Sequence, residues 1–238
     1  MRVTGIIPAR LESSRLPGKL LLNETGKPLI QHCWESASQA SVLKPKGAEA
    51  SPDLLVATDS LQIAAAVNLF GGEVAMTGDH PCGTDRIAEV VRRQMPDSDI
   101  IVNIQGDEPD IDPAAIDKVA SLLIDDPRAG MATLCTPISE ASMLDDPGCV
   151  KAVVSADGRA LYFSRSPIPF LRDGDRETLL SSEDSPWRLH LGIYAYRREF
   201  LLHLTEQPPS PLEQLEKLEQ LRALELGATI RIAEVAHR

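Results

Sequence analysis

Three short segments carry the residue types needed to handle a phosphorylated ligand. The first is Pro8-Ala9-Arg10-Leu11-Glu12-Ser13-Ser14-Arg15-Leu16-Pro17-Gly18-Lys19. It gathers the cations Arg10, Arg15 and Lys19 among small residues whose backbone N–H groups can approach oxygens closely. Such a loop can cradle a polyphosphate, although it is no Walker A loop, because Gly18-Lys19 is followed by leucine rather than Ser or Thr. An isolated Arg or Lys is more simply a solvated surface residue, and it is the clustering that argues for a site. The second segment is Gln105-Gly106-Asp107-Glu108-Pro109. A carboxylate that faces a phosphate cradle is where Mg²⁺ would be held, which makes Asp107 the candidate ligand. Gln105 can read a base or a sugar hydroxyl. The third is Cys82-Gly83-Thr84-Asp85-Arg86, a loop entering a helix, whose first N–H groups can meet a nucleobase or phosphate. The plainer reading makes Thr84 an N-cap and Arg86 an exposed first-turn residue.

Later in the chain the candidates change character. Tyr162-Phe163-Ser164-Arg165 puts a cation at a strand end, beside Ser166-Pro167-Ile168-Pro169. In Arg188-Leu189-His190-Leu191-Gly192-Ile193-Tyr194, even spacing places His190 and Tyr194 on one face of a strand. Ser210-Pro211-Leu212-Glu213 reads as a capping box with Pro at the first helical position, and a capping carboxylate at a cleft can also touch a hydroxylated ligand.

These segments need elements to position them. Val3–Ile7 is a β-branched apolar run ended by Pro8 and predicts a buried strand, with a loop over 9–19. Further strands are predicted at Leu54–Thr58, Val74–Met76 and Ile100–Ile104, and helices at Pro28–Ala40, from Ser60 to Phe70, and at Thr84–Gln94. Asp112-Pro113 looks like another helix start. This alternation argues for a parallel sheet with helices on both faces, in which ligands bind beyond the carboxyl ends of the strands. The second half has fewer helices. Strands are predicted over Gly130–Thr136, Val150–Ser155, Ala160–Phe163, Leu191–Tyr196 and Ile230–Val235, with Asp157-Gly158 as a hairpin turn. Residues 173–186 read as a loop without period. Residues 210–226 read as one long helix that buries Leu215, Leu218, Leu221, Leu224 and Leu226.

Composition narrows the partners. The 238 residues carry a formal charge of -11, and 43% are hydrophobic. No apolar run approaches the ~20 residues of a membrane span. The N-terminus is no signal peptide, so a cytoplasmic location is expected. An acidic chain repels nucleic acid and anionic membranes. Yet residues 1–27 hold five bases against two acids, which suits a small anionic substrate and not a polymer. Cys33, Cys82, Cys135 and Cys149 lack metal-site spacing and read as reduced thiols.

Taken together, Ile-Ile-Pro-Ala-Arg with Ser-Arg-Leu-Pro-Gly-Lys, Gln-Gly-Asp-Glu-Pro, Tyr-Phe-Ser-Arg, His-Leu-Gly-Ile-Tyr, and Ser-Pro-Leu-Glu with Leu-Glu-Gln-Leu-Arg occur in that order. The chain closely resembles the 3-deoxy-manno-octulosonate cytidylyltransferases, from Val3 to about Val235. The first two motifs are shared widely among sugar nucleotidyltransferases, and the last three point to Kdo. The resemblance implies a Rossmann-like nucleotidyltransferase fold, its mixed, mostly parallel sheet flanked by helices, with a smaller β-rich part for sugar binding and dimerisation. It implies a single domain whose nucleotide-binding half spans 1–127 and whose sugar-binding half spans 128–238. The implied reaction is CTP and Kdo giving CMP-Kdo and diphosphate for lipopolysaccharide synthesis, in a homodimer. Arg10, Lys19 and Asp107 would be catalytic, with Asp107 holding Mg²⁺. Pro8, Ala9, Arg10, Ser13, Arg15, Lys19, Gly83, Thr84, Arg86 and Gln105 would bind the nucleotide. Gln105, Arg165, His190, Tyr194 and Glu213 would line the sugar site, Arg165 meeting the Kdo carboxylate. Family members continue with a Val/Ile-Asp-Thr-Pro-Glu-Asp segment whose first Asp is a second Mg²⁺ ligand, and Glu234 does not match it. Alternatives are a cytidylyltransferase for 8-amino-Kdo or sialic acid, or a nucleotide-binding member without turnover.

Overall fold

The computed structural model describes residues 1–12, 16–44, 53–182 and 184–236. Its first half is built as the alternation predicts. β1 (Val3–Ala9) pairs in parallel with β2 (Leu54–Thr58) and with β4 (Ile100–Asn103), and β3 (Val74–Met76) adds to β2. Alternate side chains of β1 serve two cores, one on each side of the sheet. Val3, Ile7 and Ala9 face α1 (Leu29–Ala37), α2 (Leu61–Leu69) and α4 (Pro113–Asp125). Ile6 faces the opposite core, with α3 (Gly83–Gln94). Ser60 caps α2 by accepting from the Ile63 N–H, and Asp112 caps α4 by accepting from the Ala114 N–H.

The second half completes the same sheet. β5 (Met131–Pro137) and β8 (Arg188–Arg197) are antiparallel, β8 also pairs antiparallel with β4, and β9 (Ile230–Glu234) runs parallel to β5. The strand order is β3-β2-β1-β4-β8-β5-β9. β6 (Lys151–Val154) and β7 (Ala160–Ser164) form a hairpin on the start of β8, and the predicted Asp157-Gly158 turn joins them, with Gly158 at φ 77°. A third, small core of Ile138, Leu144, Leu180 and Trp187 gathers beside them. No helix among the described residues is long and apolar enough to cross a membrane.

The structure corrects the reading in four places. The predicted loop at 173–186 contains α6 (Arg176–Leu180), capped by Asp175 and anchored through Leu180. α5 (Ala141–Asp145) and α7 (Arg198–Glu206) have no counterpart among the predicted helices. The single helix predicted from 210 to 226 is two, α8 (Pro211–Glu216) and α9 (Gln220–Glu225), separated at Lys217, whose backbone is left-handed at φ 54°. That break also redirects the leucines. Leu218 and Leu221 are buried, whereas Leu215 is 81% exposed and Leu226 is exposed too.

Candidate active site

β1 and β4 are adjacent and parallel, Asn103 lying beside Ile6, so the chain leaves both strands at the same edge of the sheet, three residues later along β1 than along β4. Arg10 is exposed there and makes no hydrogen bond or ion pair with the described residues. Ser13 and Arg15 lie outside the described residues. The chain returns through Gly18, whose N–H donates to the Leu11 carbonyl at 3.0 Å and whose φ of 68° suits glycine. A short 3₁₀ turn, Lys19–Leu21, follows, pinned by buried Leu20. On the β4 side, a Cβ on Gly106 would stand 3.2 Å from Ile7 Cγ2 and 3.3 Å from Ile30 Cδ1. Glycine therefore lets this loop fold down onto the sheet and bring Asp107 across to Lys19. Lys19 Nζ and Asp107 Oδ2 are 2.9 Å apart, both partly open to solvent.

The donor set fits Mg²⁺ of a particular kind. No group of three His, Cys, Asp or Glu side chains among the described residues could hold a metal alone. Mg²⁺ commonly takes one or two protein carboxylates and completes its shell with water and substrate phosphates. A solvent-accessible Asp107 beside a cationic loop suits that arrangement.

The neighbouring wall is the start of α3. A Cβ on Gly83 would lie 3.1 Å from Pro8 Cγ, so the helix N-terminus packs directly on the end of β1. Thr84 is not the N-cap; Cys82 holds that position. The Thr84 hydroxyl instead donates to Glu219 Oε2 at 2.6 Å. Nor is Arg86 exposed. Its guanidinium, 3% exposed, donates to Thr77 Oγ1 at 2.5 Å, to the Gly78 carbonyl and to Asp59 Oδ2 at 3.0 Å. Glu89 grips the same loop, accepting from the Gly78 N–H at 3.0 Å and pairing with His80 at 2.6 Å. Burial without an exit is tolerable for Arg86 because these acceptors satisfy it.

The opposite wall belongs to β8. Opposite the Thr133/Leu134 step of β5 its register shifts, leaving Gly192 and Ile193 without ladder partners. The Gly192 carbonyl accepts instead from Gln105 Nε2 at 3.1 Å, which links β8 to the loop of Asp107. His190 and Tyr194 do share a face, their ring centroids 5.4 Å apart, and Phe163 packs edge-on against His190 at 4.9 Å. Burial pushes the His190 imidazole down to about 3. Thr133 Oγ1 lies 2.8 Å from the Ile193 carbonyl and 2.9 Å from His190 Nε2. With the one hydroxyl proton on the carbonyl, the network assigns the imidazole proton to Nε2 and leaves Nδ1 as an acceptor. The Tyr194 phenol is pushed up, first by burial and then by Glu219, and donates to Gln220 Oε1 at 3.2 Å.

Two residues of this wall, Glu219 and Gln220, are absent from the sequence candidates. Gln220 is 3% exposed and its Nε2 has no partner among the described residues. Its signal lay in the Leu-Glu-Gln-Leu-Arg run, which reads as helix interior until the break at Lys217 turns it toward Tyr194. Two predicted sugar residues, by contrast, are bonded to protein. Arg165 donates through all three guanidinium nitrogens to the carbonyls of Glu216, Pro147 and Lys217. Glu213 closes the capping box with Ser210 and forms a two-armed ion pair with Arg222.

Exposed Arg10 with the Lys19–Asp107 pair on one side, and His190, Tyr194 and Gln220 beside the Glu219 carboxylate on the other, suit a nucleoside triphosphate beside a hydroxylated ligand. Comparison with known proteins agrees. The model of a family described as cytidylyltransferase matches residues 4–230. A 3-deoxy-manno-octulosonate cytidylyltransferase of Rhodopirellula baltica is 48% identical over 99% of this chain and 91% of its own. That of Geobacter sulfurreducens is 46% identical over 100% of this chain and 92% of its own. The solved structure of a CMP:2-keto-3-deoxy-manno-octonic acid synthetase complexed with CTP superposes with a TM-score of 0.88, at 43% identity, over 100% of this chain and 91% of that one. A cytidylyltransferase of Leptospira borgpetersenii, at 16% identity and a TM-score of 0.60, shares the fold. The chain belongs to the cytidylyltransferases, and among them to the 3-deoxy-manno-octulosonate cytidylyltransferase family.

Proposed function

We propose that the chain transfers a cytidylyl group from CTP to the anomeric hydroxyl of Kdo. The hydroxyl oxygen forms a bond to the α-phosphorus, the bond to the diphosphate breaks, and the hydroxyl proton leaves to solvent. The observation that carries this reading is Lys19 held 2.9 Å from Asp107 where β1 and β4 end, in a chain this similar to a CTP-complexed synthetase. Lys19 and Arg10 bind the triphosphate, with Arg15 and Ser13 of the same loop, and stabilise charge gathering on the leaving diphosphate. Asp107 would hold Mg²⁺, which supplies charge neutralisation across the phosphates. Pro8, Ala9, Gly83, Thr84 and Arg86 shape the nucleotide wall. Gln105, His190, Tyr194 and Gln220 face the sugar acid. Positioning and charge account for the chemistry without a side-chain general base. Lipopolysaccharide synthesis, a cytoplasmic location and a homodimer complete the proposal.

The test is release of diphosphate from CTP, Kdo and Mg²⁺. Lys19→Ala and Asp107→Asn should each lower kcat/KM by roughly 10²–10³-fold. Activity within threefold of wild type in either variant would refute the assigned roles, and no diphosphate from the wild-type chain would refute the reaction. Comparing kcat/KM for Kdo, 8-amino-Kdo and sialic acid fixes the sugar.

A further inference from the structure

Glu213 and Arg222 form the most enclosed two-armed ion pair among the described residues, with side chains 10% and 9% exposed. Arg222 Nε donates to Glu213 Oε2 at 2.7 Å and Nη2 to Oε1 at 2.6 Å. Glu213 Oε2 also accepts from the Ser210 N–H at 3.1 Å. Arg222 Nη1 reaches the carbonyls of Leu204 at 3.3 Å and Gln207 at 3.1 Å. One guanidinium therefore joins the end of α7, the start of α8 and the body of α9.

α9 has only six residues. A helix that short has too few backbone bonds to hold its own conformation or orientation. Leu221 and Ala223 press it onto the core, but apolar contact is non-directional and leaves rotation about the axis loosely set. The paired hydrogen bonds to Glu213 are directional. Their Arg222 end stands two residues from Gln220, which bonds to Tyr194, and three from Glu219, which bonds to Thr84.

We propose that the Glu213–Arg222 pair is a positioning device for the sugar side of the site. Glu213 does not touch the sugar acid; through Arg222 it sets where Gln220 stands against Tyr194. This rests on the function proposed above.

Steady-state kinetics of the full chain test it, with KM for Kdo and for CTP measured separately in Glu213→Gln, Arg222→Met and the double variant. Each single change should raise KM for Kdo about tenfold and leave KM for CTP within about twofold, and the double variant should be no worse than the worse single. A Glu213 that contacts the sugar gives another pattern. Either Glu213→Gln alone raises KM for Kdo, or the two losses multiply, and both results overturn the proposal. Equal losses for both substrates would reduce the pair to a fold-stabilising contact and also overturn it. Glu213→Leu with Arg222→Met guards against unfolding, since an apolar pair can replace a buried ionic one. It should melt cooperatively near the wild-type temperature with KM for Kdo still raised, and a wild-type KM there refutes positioning. Gln220→Ala examines the underlying site assignment separately. An unchanged KM for Kdo in that variant removes the assignment, and the proposal with it.

Discussion

Burial pushes His190 from 6.5 down to about 3 in the folded protein, so the imidazole is neutral at pH 7. The unfolded chain takes up this proton near its ordinary value and the folded chain does not. Between about pH 6.5 and 3 the unfolded state therefore binds more protons, and stability falls as the pH is lowered through that window. The contribution is fully present above pH 6.5. His190→Gln retains a donor for Thr133 without the titration. Urea unfolding at intervals from pH 6 to 4 should show a shallower pH dependence in the variant, by roughly 1.4 kcal/mol per pH unit near mid-window. Parallel curves would show that His190 is protonated in the native state. The carboxylate of Glu89 works in a lower window. His80, then the Gly78 N–H, hold it down to about 2, so its contribution is lost only as pH falls from about 4.5 toward 2.

At the scale of elements, the break between α8 and α9 decides where Glu219 and Gln220 stand. It depends on Lys217 adopting a left-handed backbone without being glycine. Lys217→Gly should be neutral within about 0.5 kcal/mol, because relief of strain offsets the added chain entropy. Lys217→Val should cost ~1–2 kcal/mol, because a β-branched side chain collides with the carbonyl in this conformation. Equal stabilities of the two variants in urea titrations would show that the turn does not need this geometry. The same break marks where sequence reading ends. The four strands of the first half were legible because each is an apolar run bounded by polar or turn residues, and the nucleotide-side candidates follow those strands within a few positions. α7 was not legible, since Arg198 follows Arg197 with no turn residue to punctuate the change of period. Glu213 was legible as a cap, but its partner lies nine residues later, across a break that a run of well-spaced leucines conceals. Thr84 and Arg86 were legible as part of a loop entering a helix, while their acceptors, Glu219 for the one and Thr77, Gly78 and Asp59 for the other, are revealed by no local spacing.

Across the whole molecule, β8 joins the two halves by pairing with β4 on one side and β5 on the other. Halves that share one sheet should unfold together. The two tryptophans report on this: Trp34 packs near Phe70 in the first half, and Trp187 sits in the third core immediately before β8. Single-tryptophan variants, Trp34→Phe and Trp187→Phe, should give coincident urea transitions by fluorescence. Separate midpoints would identify the third core as an independently unfolding unit. The same strand also constrains the lineage. Gly192 and Ile193 are a pair of extra residues, and a pair preserves the alternation of faces along β8. Loss of one would turn every side chain beyond it to the opposite side of the sheet. Insertions and deletions can therefore pass through this point in twos and not singly. A homologue whose alignment shows a gap of one between the positions of His190 and Tyr194 should have a rebuilt sugar wall and a different sugar.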